Sequence, residues 1–483
     1  MIHQNYEIAN AEQELNVSFI HAIQELQISK LLHQCGIRKK ARTLSGESSS
    51  DKRTAFEIFQ FLLLMVFRGC NLFRFLGSRK QDIACSRSTY HRFLNNCHYN
   101  WRRFITLLAA GVIERLDPLT SSNRFKAFVL DDSVISRKRS KSVELLAFIY
   151  DHVINKSVKG FNLLALGWTD GFSFIPVAFN MLSSAKEEKR LNEAKIMDKR
   201  TIGYRNRVSA IMKKTDAAIA MVREALNAGI AADYVLMDTW FTSEPFIKRL
   251  LDEGLDTIGM LKDNKQMYHY GRKLVNLRSL AAHHVHFTGN NDLLGSVIVR
   301  TRYERIPVKL VFVRNRNKRS EYIIILSTDC SLSDGEIARR YSYRWQIECC
   351  FKVSKSLLKL GKEFQPINYD TTVSSTAIVF TRFIILEWIR RKNNDWKTMG
   401  ELFFLCCEDV RDIELSEALE SLLTLFMNGL KNGTVQINES VRKDLFDWYV
   451  SQPMFIQRLC AKQLNEASIL IDYHMCDQLS MSV

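Results

Sequence analysis

The chain has 483 residues, of which 46% are hydrophobic and 25% charged, with only 6 prolines and 20 glycines. These values are typical of a chain that folds around one or more large cores, and they exclude a small disulfide-stapled module and a long disordered protein. Lysine and arginine outnumber aspartate and glutamate by 68 to 52, a formal net charge of +16 that favours a polyanionic partner such as nucleic acid.

No targeting or membrane segment is expected from the sequence. Residues 1–16 lack a basic head followed by an apolar stretch, so no secretory signal is predicted. The most apolar run, residues 61–67, lies in a segment that charged residues interrupt before about 20 positions are reached. The eleven cysteines include no CxxC pair, which argues against a disulfide framework or a zinc site. We therefore expect a cytoplasmic protein without a membrane partner.

The N-terminal part, residues 1–120, is predicted to be helical. Apolar residues recur there with helical spacing through residues 20–32 and again through residues 56–75. This periodicity predicts a separate helical domain.

Two segments are candidates for contact with DNA. A short helix is predicted near residues 88–95, and small polar, aromatic and basic side chains at its start suit a helix that reaches phosphates and base edges. We expect it to present Arg87, Tyr90 and Arg92 to DNA. Residues 186–214 hold ten basic residues against four acids and are a second candidate. For both segments, a solvated helical face is the alternative interpretation.

From residue 125 the hydrophobic period changes to that of β-strands bounded by turn residues. The strand runs are FKAFVLDD, GFNLLALGWTD, FSFIPVAFNML, DYVLMD, DTIGMLK, GSVIVRTRY, IPVKLVFVRN and EYIIILST. They predict an α/β fold with a mixed sheet and helical crossovers over residues 121–264, followed by a β-rich insertion at 265–330. Helices are predicted again over residues 331–395 and in a C-terminal region, 396–483.

Two of the predicted strands end in aspartate, at Asp131 and at Asp238, and Asp132 follows the first of these. Carboxylates at the carboxyl ends of neighbouring strands point into the crevice where open α/β sheets bind ligands. Each aspartate taken alone could merely begin a turn. Together they predict two hard oxygen ligands at one edge of the sheet.

A helix predicted after Ser333 carries an aligned set of functional side chains. At 3.6 residues per turn the set lies within a sector of about 60°. Its members are Tyr341, Arg344, Glu348 and Lys355. The stripe is either a surface salt-bridge ladder or an acidic metal ligand flanked by groups that bind phosphate.

The two aspartates and the stripe, with its spacing Y-x2-R-x3-E-x6-K, resemble the DDE triad and the YREK signature of bacterial insertion-sequence transposases, in the group named after insertion sequence four. The segments DTWF after Asp238 and RWQIE around Glu348 are also similar to that group. The resemblance covers roughly residues 125–395, and the segment STYHRFL resembles the family's DNA-binding region more loosely.

The resemblance implies an RNase H-like catalytic core with a β-rich insertion, a helical N-terminal DNA-binding domain and a helical C-terminal region. It implies that the catalytic metal ligands are Asp131, Asp238 and Glu348. The expected ion is Mg²⁺, with Mn²⁺ as a substitute, because Mg²⁺ prefers oxygen ligands and keeps several waters. The resemblance assigns phosphate contacts to the rest of the stripe, namely Tyr341, Arg344 and Lys355.

The sequence departs from the family pattern in two ways. Asp132 competes with Asp131 for the first ligand position, and Asp131 is preferred because Asp-x-Ser matches the family pattern. The best-known relatives carry a base-stacking tryptophan in the β insertion, whereas the tryptophans between residues 239 and 347 are Trp240 and Trp345, both outside it. Whether a hairpin intermediate forms is left open.

The expected function is that of a transposase that binds the ends of its own insertion sequence and catalyses metal-dependent DNA strand cleavage and strand transfer. Its expected partners are double-stranded DNA, as terminal inverted repeats and as target, and a second copy in a synaptic homodimer at the bacterial nucleoid. Two alternatives stay open. One is a transposase-derived DNA-binding protein that does not cleave, and the other is an RNase H-like nuclease that cuts without joining.

Overall fold

The structure is a computed structural model of the chain. The described residues are 18–38, 54–69, 71–77, 86–120, 124–152, 154–262, 266–287, 291–316, 318–364, 366–392, 397–407 and 439–451. The chain divides into two compact units, Met1–Phe403 and Phe404–Val483. In the second unit the structure describes the helix Glu439–Ser451, so most of the predicted region 396–483 lies outside the described residues.

Helices fill the described residues up to 116. They are α1 (Ser18–Glu25), α2 (Ile28–Gln34), α3 (Ala55–Leu64), α4 (Leu72–Leu76), α5 (Arg87–Leu94) and α6 (Trp101–Leu116). Aromatic rings join them, since Phe59 packs against Trp101 and Phe104 with ring centroids 5.7 and 5.6 Å apart. These large buried rings stabilise the helical layer through the apolar area that they remove from water.

Eleven strands of the described residues form one sheet. They are β1 (Ala127–Ser136), β2 (Ala147–Asp151), β3 (Lys156–Thr169), β4 (Phe174–Leu182), β5 (Tyr234–Met237), β6 (Asp256–Leu261), β7 (Met267–Tyr270), β8 (Lys273–Asn276), β9 (Leu293–Thr301), β10 (Pro307–Arg314) and β11 (Tyr322–Ser327). Their order is β2-β3-β1-β5-β6-β11-β10-β9-β7-β8, and β4 pairs with β3 off this path. The eight predicted strand runs are all strands here, whereas β2, β7 and β8 were not predicted.

Helices connect or cover the strands. They are α7 (Ile202–Ala210), α8 (Lys214–Asn227), α9 (Glu244–Asp252), α10 (Leu277–His284), α11 (Asp334–Ser342), α12 (Trp345–Ser356) and α13 (Tyr369–Lys392), and the C-terminal helix Glu439–Ser451 is α14. The β-rich insertion therefore contains one helix, α10. Its strands extend the main sheet, because β11 pairs antiparallel with β6.

The pairing directions divide the sheet around β1. On one side β1 pairs antiparallel with β3, and β3 pairs antiparallel with β4. On the other side β1 pairs parallel with β5, and β5 pairs parallel with β6. The first four residues of β1 are fully buried, as expected for a strand with helices on both faces. The parallel pairing of β1 with β5 ends at Leu130 and Met237.

The helix α13 is the longest in the described residues and lies at the centre of the fold. Its length and composition would allow it to span a membrane, although no such segment was predicted from the sequence. In the structure, however, 94% of its apolar window is buried inside the protein, which is the pattern of a core helix. Its fully buried Arg382 is neutralised by Glu363, with nitrogen to oxygen distances of 2.6 and 2.9 Å.

Candidate active site

Asp131 and Asp238 are neighbours on the two central parallel strands. The last parallel register pair joins Leu130 of β1 to Met237 of β5, so the next residue of each strand is an aspartate. The strand β1 does not end there as predicted but continues to Ser136, paired with β3. The Oδ1 of Asp238 accepts hydrogen bonds from the backbone N–H groups of the two residues after Thr239, at 3.0 and 3.4 Å, which fixes the carboxylate at the end of β5.

Burial makes ionisation of this pair costly. It raises the pKa of Asp131 to about 7; Arg344 lowers that value and the charge of Asp238 raises it further. Burial also raises the pKa of Asp238 above its ordinary range, and backbone hydrogen bonds oppose the rise only in part. Two desolvated carboxylates that repel each other favour a bound proton or a bound cation.

Arg344 lies between two of the predicted acids. One of its Nη atoms donates to Oδ2 of Asp131 at 2.9 Å, and the other donates to Oε1 of Glu348. Its guanidinium carbon lies 5.9 Å from the ring centroid of Tyr341, whose buried hydroxyl has no hydrogen-bond partner within the described residues. The structure thus brings three members of the stripe to the strand ends.

The stripe does not lie on one continuous helix, contrary to the prediction. The helix α11 ends at Ser342 and α12 begins at Trp345, so Tyr341 and Glu348 lie on different helices and Arg344 lies at their junction. The backbone stays close to the right-handed helical region through this junction. The side chains therefore remain grouped on one side although the regular helix is interrupted.

Lys355, the last member of the stripe, contacts β1 beyond the aspartate pair. Its Nζ donates to Oγ of Ser133 at 2.6 Å and to the carbonyl oxygen of Val134 at 3.0 Å. Burial lowers the pKa of Lys355. Since alternate residues of a strand share a face, Ser133 lies on the same face of β1 as Asp131.

Asp132 faces a different set of partners. Its carboxylate accepts hydrogen bonds from Nζ of Lys214 at 2.8 Å and from the side-chain amide of Asn162 at 2.5 Å. The Lys214 ammonium also lies 4.1 Å from the ring centroid of Trp240, directly after the second aspartate. None of these three neighbours was predicted from the sequence, although Lys214 ends the basic segment 186–214 and Trp240 belongs to the DTWF motif.

The donor set suits a hard divalent cation but is not assembled around one. Within the described residues, no group of three or more His, Cys, Asp or Glu side chains is close enough to hold a metal ion. The reason is visible in the contacts: the guanidinium of Arg344 separates Asp131 from Glu348. Binding of an ion by all three acids therefore requires Arg344 to leave these carboxylates. The two buried aspartates fit such an ion because carboxylate oxygens are its preferred ligands.

The predicted DNA-reading helix is present as α5, but one of its three residues is placed differently. Arg87 and Arg92 are exposed, as predicted. Tyr90 is fully buried, with its ring centroid 5.1 Å from that of Phe61, so the prediction that Tyr90 faces DNA was wrong. The residue lies on the apolar face of an amphipathic helix, where aromatic packing outweighs exposure of the hydroxyl.

Family comparisons match the residues around this site. A family model described as DDE superfamily endonuclease matches residues 50–279, and one described as Transposase DDE domain matches residues 206–365. Over these residues the chain is similar to DDE-superfamily endonuclease and transposase domains. The first match includes Asp131 and Asp238, and the second includes Asp238 and Glu348.

Two further comparisons add little. A search of curated proteins gives no match. Among solved structures, the Drosophila P element transposase strand transfer complex aligns at 12% sequence identity over 91% of this chain and 97% of that chain, with a TM-score of 0.22. A TM-score this low carries no argument about fold or activity.

Proposed function

We propose that this protein is a DDE transposase that cuts and joins DNA at the ends of its own insertion sequence. The observation that carries the proposal is the partly buried pair Asp131 and Asp238, with Arg344 joining Asp131 to Glu348, inside the span of two DDE-superfamily matches. Buried like charges with raised pKa values are typical of functional sites rather than of structural ion pairs. The Y-x2-R-x3-E-x6-K spacing supports the finer assignment to the insertion-sequence-four group.

We further propose that the core is RNase H-like. The strand β3 pairs antiparallel with both β1 and β4, the strands β5 and β6 run parallel to β1, and the helix α12 packs on β1. The acids lie where β1 and β5 end their pairing, which is where open α/β sheets bind ligands. The remaining domains keep their sequence-based assignments: residues 1–120 bind DNA, residues 265–330 form the insertion, and residues 331–395 carry the YREK signature.

Asp131, Asp238 and Glu348 would hold Mg²⁺, or Mn²⁺ in its place, when DNA is bound. The ions supply activation of the attacking water or 3′-hydroxyl and stabilisation of the leaving oxygen. The protein orients the scissile phosphate and excludes water from the buried pair. The guanidinium of Arg344 compensates the acids in the free protein and binds a DNA phosphate in the complex, since both partners are oxyanions that suit its planar fork.

The other DNA contacts are proposed from the position and the donor chemistry of the side chains. The Tyr341 hydroxyl and the Lys355 ammonium are donors that suit phosphate oxygens near the cut. Arg87 and Arg92 of α5 are the proposed readers of the terminal inverted repeat. Because two ends are cut and joined together, the proposed assembly is a homodimer on DNA at the nucleoid of a bacterial cytoplasm, with no membrane partner.

The alternatives predict different products from one reaction. The purified full chain is incubated in Mg²⁺ with an end-labelled duplex that carries the inverted repeat flanking its gene, together with a supercoiled target plasmid. A transposase converts the label into shortened strands and into plasmid-joined products. Shortened strands alone indicate a nuclease, and a retarded but uncut duplex indicates a DNA-binding protein. Either of these two results contradicts the proposal.

A further inference from the structure

A second concave site lies between the helical N-terminal part and the loop that follows α12. It is a groove with a cavity volume of about 730 Å³, bordered by α4, α5 and residues 362–364 and 366–368. This volume is within the range of ordinary ligand sites. None of the candidate catalytic residues lines it. The groove is therefore separate from the candidate active site.

The rim of the groove is basic. It carries the exposed side chains of Arg87, His91, Lys195 and Lys362. None of the four has an ion-pair partner among the residues that the structure describes. The acid that lines the groove, Glu363, is buried and held in a bidentate pair by Arg382, so it does not offset the rim charge. A concave site with uncompensated positive charge attracts a polyanion.

An exposed aromatic ring lies beside this charge. Phe73 of α4 is 70% exposed, and the guanidinium carbon of Arg87 lies 5.4 Å from its ring centroid. Ile367, on the opposite border, is 61% exposed. Aromatic faces combined with basic residues along a groove are the arrangement with which proteins bind single-stranded nucleic acid, because the base stacks on the ring while the backbone follows the charge.

The groove is connected to the candidate active site through one loop. The carbonyl oxygen of Gly361 accepts a hydrogen bond at 2.9 Å from Arg137, the first residue after β1. Lys362 follows directly, and its charge contributes to the lowered pKa of Lys355, after the larger effect of burial. The loop that carries Lys362 to the rim of the groove is therefore held against the end of β1.

We propose that this groove binds a single DNA strand adjoining the cut site, with its phosphates at Lys195 and Lys362 and one unpaired base against Phe73. The proposal rests on the proposed function, since it is a DNA end opened for cleavage that supplies an unpaired strand. A duplex is excluded as the occupant of the ring, because the faces of paired bases are stacked on one another.

The test is a fluorescence anisotropy titration of the full chain without divalent metal, so that no cleavage occurs. A labelled single-stranded oligonucleotide and the duplex of the same sequence are compared. For Phe73→Ala we expect binding of the single strand to weaken about fivefold or more, with duplex binding unchanged. For the double variant Lys195→Ala/Lys362→Ala we expect the slope of log affinity against log salt to fall by about 1.4 on the single strand.

Matched controls separate these effects from general charge and stability. Phe172→Ala removes a ring that is 71% exposed elsewhere, and Lys273→Ala/Lys318→Ala removes two exposed charges from the insertion. Both controls should bind the single strand like wild type. Wild-type single-strand binding by Phe73→Ala and by the double lysine variant overturns the proposal. So does altered self-association in Phe73→Ala without altered DNA binding, which would identify a second copy as the occupant.

The outcome is independent of the cleavage assay. If the groove variants bind like wild type while substitution of the acids abolishes cleavage, the groove proposal fails and the proposed function stands. If the groove variants lose single-strand binding while no strand is ever cut, the groove stands as a DNA site and the transposase assignment fails.

Discussion

Arg207 and Arg344 each lie between two carboxylates, but their surroundings differ. Arg207 is buried on α7 and contacts Glu144 at 2.5 and 2.8 Å and Asp370 at 3.0 and 2.8 Å. Glu144 also accepts hydrogen bonds from two backbone N–H groups, those of Lys195 and Tyr369. Burial alone would raise the pKa of Glu144, but these donors hold it below its ordinary value. This cluster is closed and fully hydrogen-bonded.

The Arg344 cluster is also centred on an arginine, but it has more acidic side chains and fewer hydrogen bonds to them. Arg344 makes one contact to Asp131 and one to Glu348, while Asp238 and Asp132 add two nearby carboxylates. Burial, with a further contribution from the charges of Asp238 and Asp132, raises the pKa of Asp131, whereas the pKa of Glu144 is lowered. A structural ion pair thus supplies its carboxylates with hydrogen-bond donors and a compensating charge. The candidate active site instead keeps an excess of negative charge that a metal ion can relieve.

The largest expected effect is the loss of DNA cleavage when an acid of the Arg344 cluster is replaced. Asp238→Asn and Glu348→Gln should each reduce strand cleavage in Mg²⁺ by about a thousandfold or more, because each loses a ligand worth several kcal/mol of transition-state stabilisation. Both should keep wild-type duplex binding within a few-fold. The exposed Asp252→Asn on α9 is the control and should cleave normally. Substantial cleavage by Asp238→Asn or Glu348→Gln would show that the Arg344 cluster is not catalytic and does not differ from the Arg207 cluster in this respect.

A sharper comparison separates the two adjacent acids of β1. Asp131→Asn should abolish cleavage, since Asp131 shares the face of β1 that meets Arg344 and Lys355. Asp132→Asn should leave a measurable fraction, because Asp132 is bound by Lys214 and Asn162 instead. Single-turnover cleavage of the same labelled duplex measures both. The opposite order of rates would assign the first ligand to Asp132.

For the first cluster the expected effect is on stability. Glu144→Gln should lower the free energy of unfolding by about 3 to 5 kcal/mol, because it breaks a buried ion pair, whereas Asp131→Asn should cost little because it removes repulsion. The pKa of Glu144 is lowered on folding, so its contribution is present above the unfolded value of about 4.3 and is lost as the pH falls through the folded value. Urea titrations from about pH 3 to about pH 7 should show that the free energy of unfolding of wild type falls at acid pH. The fall should be smaller in Glu144→Gln.

An equal loss of stability in Asp131→Asn and Glu144→Gln would show that both clusters are structural. The difference between the two variants, rather than either value alone, is the quantity of interest. Because both variants are compared with a similar unfolded state, taking the difference cancels errors that this state introduces.

The sequence predicted the position of the acids better than their partners. Apolar runs that end in Asp131 and Asp238 are visible because buried parallel strands read as continuous hydrophobic segments. The contact between Lys214 and Asp132 joins residues 82 positions apart, and no local period reports such a pair. Each missed strand has only four or five residues, too few to show an alternation.

Two predictions about helices were wrong because tertiary packing, rather than residue type, decided the outcome. Tyr90 was expected to be exposed, but the neighbouring Phe61 buries its ring. The break between α11 and α12 at Tyr343 and Arg344 has no glycine or proline to announce it. In both cases the residue types allow either outcome, and the surrounding aromatic and charged side chains select one.

A smaller effect is expected for the phosphate-binding members of the stripe. Arg344→Ala and Lys355→Ala should reduce cleavage about tenfold to a hundredfold, as loss of one charged hydrogen bond implies, with little change in melting temperature. Lys352→Ala, an exposed neighbour on α12, is the basic control. Normal cleavage with lowered melting temperatures would make Arg344 a structural residue like Arg207.

The most direct test of the central claim is calorimetric titration of Mn²⁺ into the protein without DNA, because it needs no knowledge of the DNA sequence recognised. We expect Arg344→Ala to bind Mn²⁺ more tightly than wild type, since the guanidinium no longer occupies Asp131 and Glu348. We expect Asp238→Asn to bind Mn²⁺ more weakly than wild type, and Glu144→Gln, where it folds, to bind like wild type. Identical Mn²⁺ binding by wild type, Arg344→Ala and Asp238→Asn would contradict the claim that these acids form the metal site.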